Sequence, residues 1–85
     1  MTDLRTQHEA TVAYDALNDS AHALQARYIS LSRDALGDPQ QQEAWNARVL
    51  NARDAVAEVD PDNLKAIETL TEQFRRELRE LKDAG

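Results

Sequence analysis

Apolar residues recur through the first third of the chain at alternating steps of four and three: Ala10, Tyr14, Leu17, Ala21, Leu24, Tyr28, Leu31 and Ala35. This spacing puts one apolar stripe along one side of a helix, and its steady four-three alternation is a heptad seam suited to packing against other helices. No Gly or Pro interrupts it. The pattern predicts a first helix over about residues 3–36, roughly 50 Å long at 1.5 Å per residue. Gly37 follows where a left-handed residue after the helix is wanted, since glycine carries no Cβ penalty there.

Asp38-Pro39 reads as a helix start. Asp38 can accept from the free N–H groups of the first turn, Pro39 suits the first helical position, and Gln41 completes a capping-box pattern. The second helix, about residues 39–59, carries the stripe Trp45, Val49, Ala52, Val56 and Val59, with Trp45 expected as its central core anchor. Asp60-Pro61 repeats the device, so Asp60 is expected to cap and Pro61 to open a third helix over about residues 61–83, with Val59 and Leu64 as a hydrophobic staple. That helix places Leu64, Ile67, Thr71, Phe74, Leu78 and Leu81 on one stripe, widened by Leu70. Its polar face sets Glu72 four residues before Arg76, the favourable order for an intrahelical ion pair. Val59-Asp-Pro-Asp-Asn63 resembles the turn between tetratricopeptide repeats, but the resemblance covers this turn alone and no longer repeat accompanies it, so it marks a helix start.

The expected fold is therefore all-α: a three-helix bundle in one domain over residues 1–85, with one long N-terminal helix followed by two shorter ones. Short connections favour helices that fold back as neighbours, whereas a mere bend at Asp60-Pro61 would lay the second and third helices end to end. If they fold back, about 20 residues each against about 34 would leave some four turns of the first seam uncovered. That mismatch predicts a homodimer through the first helix. The expected contact residues are Tyr14, Leu17, Leu24, Tyr28, Ile29, Leu31 and Leu50. Val12, Ile29, Leu36 and Leu50 lie off the main stripes and point to a second helical contact.

Charge narrows the partners. Sixteen acidic against ten basic residues give a net charge of −6 and a pI near 4.7, which argues against nucleic acid or an anionic membrane as the direct partner. There is no cysteine, which excludes disulfides and thiolate chemistry. No apolar run approaches the ~18 residues of a membrane span, and cytoplasmic residence is the simplest expectation.

Candidate chemistry is sparse. Asp15, Asp19 and His22 stand at i, i+4 and i+7, and Asp19 with His22 has the i, i+3 spacing of the carboxylate–histidine pair in di-metal bundles. Such sites need further carboxylates from facing helices, so a solvated polar border is the competing reading. Ser20, Ser30 and Ser32 have no acid–base set beside them, and no cofactor is implied. Arg75, Arg76, Arg79 and Lys82 interleave with Glu72, Glu77, Glu80 and Asp83, which cancels a phosphate-binding field. The expectation is a non-enzymatic protein–protein interaction module, a small accessory or regulatory protein working through helix faces. Two alternatives remain at this level. One is an acidic inhibitor or antitoxin-like protein that blocks a basic, nucleic-acid-handling partner through Asp3, Glu9, Asp15 and Asp19. The other is a metal-binding helical bundle using Asp19 and His22.

Overall fold

The computed structural model describes residues 4–84, without the side chains of 4–7, 83 and 84. Three helices make up the described chain: α1 over Leu4–Asp34, α2 over Pro39–Glu58 and α3 over Leu64–Ala84. The all-α, three-helix expectation holds, with α1 the longest at 31 residues against 20 and 21.

The first turn forms as its residues dictate. Ala35 N–H donates to Leu31 O and Asp38 N–H to Ala35 O, closing the end of α1. Gly37 between them has φ +99°, a left-handed backbone that a side chain would strain. Asp38 Oδ1 then accepts from Gln41 N–H at 3.2 Å, and Pro39 opens α2. Gln42 Nε2 donates back to Ser32 O at 3.1 Å, so the start of α2 is tied beside the end of α1.

The second junction differs from its reading in sequence. Asp60 does not cap α3. Its Oδ1 accepts from Asp62 N–H at 2.9 Å, an Asx turn, and Asn63 N–H donates to Asp60 O. The cap is Asn63, whose Oδ1 accepts from Ala66 N–H at 3.1 Å, and α3 begins at Leu64 rather than Pro61. This later start also dissolves the staple expected of Val59 and Leu64, because the positions flanking the true cap are Asp62 and Ile67. The physical reason is that Asp60 satisfies a turn donor two residues on, leaving the helix donors to Asn63.

That turn reverses the chain fully. Pro61 and Asp62 adjoin Ala10 and Thr11 near the beginning of the α1 seam. Leu64 faces the same stretch of α1, and Glu77, three to four turns later, reaches Tyr28. The helices thus run up, down and up, with α2 antiparallel and α3 parallel to α1. Both pack along α1, whereas no Cα of α2 comes within 8 Å of one in α3. The molecule is accordingly elongated and flat, 55 × 23 × 13 Å across its Cα atoms.

The core is the α1 stripe and what covers it. Leu17, Ala21, Leu24 and Tyr28 are buried with Ala52 of α2 and with Ile67 and Phe74 of α3. Tyr14, Trp45, Val49, Val56, Val59, Leu70, Leu78 and Leu81 pack around this centre half-buried. Two buried hydroxyls are satisfied within their own helices: Ser20 Oγ donates to Ala16 O and Thr71 Oγ1 to Ile67 O, each at 2.9 Å.

Two expectations change. First, the uncovered length of seam is not there. The turn at residues 59–63 sits beside Ala10, so the fold-back covers the α1 seam from its first residue onward. Leu17, Leu24 and Tyr28, expected at a subunit contact, lie in the chain's own core instead. Second, Trp45 is half-buried at the edge of the cluster, and the buried member of α2 is Ala52. A small residue there lets α2 lie close to α1.

Leu17→Glu should therefore unfold the chain rather than release a monomer from a dimer, because an unpaired carboxylate would be placed in the core. Circular dichroism checks this; retained helicity with a halved mass would restore the subunit-contact reading. Asn63→Ala should lower stability by about 1 kcal/mol in urea melts, with Asp60→Ala having the smaller effect.

Candidate functional site

A broad concavity lies between the first half of α1 and the first half of α3. It is an open groove of about 660 Å³. From α1 it takes His8, Glu9, Val12, Ala13 and Ala16; from α3 it takes Leu64, Glu68, Thr71, Glu72 and Arg75. Helical spacing explains the selection. Val12 and Ala16 are one turn apart on the flank of α1 that its seam does not use, and Leu64, Glu68, Thr71 and Arg75 form successive turns of the facing edge of α3. Alanines at 13 and 16 keep the floor low. The floor is apolar, through Val12, Ala13, Ala16 and Leu64, and the rim is polar, with Glu9, Glu68 and Glu72 against Arg75 and His8.

Val12 is 54% exposed although apolar, which makes it an open floor rather than core. Glu72 is engaged from outside the groove, since Arg79 approaches its Oε1 at 3.4 Å. The ion pair expected between Glu72 and Arg76 is replaced by this i, i+7 contact, because the extended arginine spans two turns along one face. Both side chains are more than half exposed, so the pair contributes little.

A second cluster closes the other end of the molecule. Tyr28 Oη donates to Glu77 Oε1, joining α1 to α3. The Tyr28 ring stacks on Trp45 with centroids 5.9 Å apart, joining α1 to α2, and the Arg48 guanidinium covers the outer side of Trp45 at 4.9 Å. Burial raises the Tyr28 phenol well above its ordinary pKa. The hydrogen bond to Glu77 and that carboxylate's charge push the same way, and Arg48 opposes them in part. A phenol held neutral in this way is a structural pin and offers no base or nucleophile near neutral pH.

The chain matches no family model, no curated protein and no solved structure. Its site is therefore read from geometry alone.

The residues singled out in sequence fall in several places. Leu17, Leu24 and Tyr28 are core, Tyr14 and Leu31 are half-buried, and Ile29 and Leu50 are exposed. Ile29, Leu36 and Leu50 lie apart from Val12 in the fold and do not line its groove. Asp15, Asp19 and His22 are exposed along α1, and no group of three or more His, Cys, Asp or Glu among the described residues is placed to hold a metal ion. The carboxylates required from facing helices are not brought to them among the described residues. Of the expected acidic face, Glu9 alone reaches the groove, and Asp3 lies outside the described residues. Glu68 and Glu72 were not singled out as site residues. Their i, i+4 spacing was visible, but their alignment with Val12 depends on α3 running parallel to α1. Among the described residues no helix is long and apolar enough to cross a membrane.

Tyr28→Phe should lower stability at neutral pH by about 0.5–1.5 kcal/mol through the lost hydrogen bond. The pH dependence follows from the direction of the shift. Because the folded state raises the phenol pKa, its contribution is complete below the unfolded value of about 10 and is lost as pH rises beyond it. Stability of the native protein should therefore fall more steeply above that pH than stability of Tyr28→Phe. Denaturant melts across the alkaline range compare the two; parallel curves would show that Tyr28 titrates freely.

Proposed function

We propose that the chain is a non-enzymatic protein–protein interaction module, a small accessory or regulatory protein of the cytoplasm that presents a helix-lined surface to a protein partner. The observation that carries this reading is the groove between α1 and α3. It holds an exposed valine together with a leucine and two alanines on an apolar floor, whereas the centre of the α1 stripe is already covered by the chain itself. Apolar surface gathered in a concavity and bordered by charge is the usual anatomy of a docking site, whereas apolar residues scattered singly are ordinary. Helix-lined grooves of this kind accept helices through their apolar faces. Two of the serines add no competing chemistry: Ser20 is buried and donates to its own helix, and Ser32 is buried near the end of α1, beside the start of α2.

A photo-crosslinking residue placed at Val12, in cells that make the protein naturally, checks the reading. It should yield a discrete crosslinked species, and the same residue at Leu50, exposed on the outer side of α2, should not. No product from position 12, or equal products from both positions, would remove the groove as the interaction surface.

A further inference from the structure

We infer that the groove between α1 and α3 receives a basic amphipathic helix of another protein. This rests on the interaction reading above and adds the partner's shape and charge.

Shape comes first. The α3 wall runs from Leu64 to Arg75, about three turns or roughly 17 Å, along a helix parallel to α1. A furrow between two parallel helices is filled by ridges of side chains on a third. Ala13 and Ala16 leave room for that helix to come close, and Val12 from α1 and Leu64 from α3 offer apolar contacts on the floor. An occupant with apolar residues one turn apart would cover both.

Charge then selects the occupant. Glu9 stands on the α1 wall, and Glu68 and Glu72 stand one turn apart on the α3 wall; Arg75 lies in the lining and Arg79 approaches Glu72 from outside it, so three carboxylates face two guanidinium groups and the rim keeps an acidic excess. Lysines or arginines flanking an apolar stripe would meet carboxylates on both sides. The chain as a whole carries −6, so a second copy would bring like charge to a rim that is already acidic. Phosphate-bearing ligands are repelled by the same carboxylates.

The test uses the full chain and a fluorescein-labelled peptide of about 14 residues, with Leu at helical spacings of three and four and Lys elsewhere. A Leu/Glu peptide of the same pattern serves as the comparison. Anisotropy titrations should show saturable binding of the Leu/Lys peptide, weaker at high salt, and no binding of the Leu/Glu peptide. The double variant Glu68→Lys/Glu72→Lys should weaken binding roughly tenfold or more, and Val12→Asp should weaken it as well. The control Glu43→Lys/Glu58→Lys, on exposed positions of α2, makes the same change in net charge and should leave binding unchanged. All these positions are exposed, and circular dichroism verifies that each variant folds.

Equal loss in the α2 control would mean that the peptide follows net charge alone, and the inference falls. Preference for the Leu/Glu peptide, still lost in Val12→Asp, would overturn the basic partner while leaving the groove a docking site. Failure of both peptides alongside a crosslink from position 12 would do the same. A doubled mass of the protein alone in light scattering, abolished by Val12→Asp, would assign the groove to a second copy and overturn the inference.

Discussion

Among the described residues, every close backbone approach between helices involves α1. Both shorter helices lie along it, and their own backbones stay more than 8 Å apart. A single stripe must therefore serve two partners. Its two edges show how: Ser32 at one edge accepts a hydrogen bond from Gln42 of α2, and Ala13 at the other lines the groove beside α3. Leu17, Leu24 and Tyr28 lie between these edges and are almost wholly shielded. Damage to that central row would loosen both shorter helices together, since neither has another backbone to lean on.

The flat shape follows from the same constraint and sets what the surface can do. With α2 and α3 on two flanks of α1, most of their apolar residues are half-buried and few are fully enclosed. Small domains bury a modest fraction of their unfolded surface, so local pins matter more than they would in a larger core. Tyr28 is such a pin: its ring meets α2 through Trp45 and its hydroxyl meets α3 through Glu77. Asp38, Asn63 and Gly37 set the helix ends, and Asp60 shapes the turn that aims α3 back along α1. That aim brings Glu68 and Glu72 opposite Val12. A functional surface thus arises from a turn that shares no residue with it.

The periodic apolar stripes were sufficient to read three helices, their order and nearly all of their buried residues from the sequence. The reason is local: a spacing of three and four determines a helix face wherever the partner lies. Gly37 and Asp38 were legible for the same reason, since a left-handed residue and a free helix terminus each have few chemical solutions. The sequence likewise marked Val12 as an apolar residue off the stripe.

Only the tertiary structure decided how the stripes meet. Asp60 and Asn63 were both able to cap α3, and the choice depended on which free donors the turn satisfied. Trp45, the largest side chain, lies at the edge of the cluster, and Ala52 is the α2 residue buried in it. The seam that suggested a second copy was covered from within, because the reversal at residues 59–63 falls beside Ala10. The groove is the clearest case. Its apolar floor and acidic rim come from two helices separated in sequence by the whole of α2, and periodicity along one helix carries no information about the register of another.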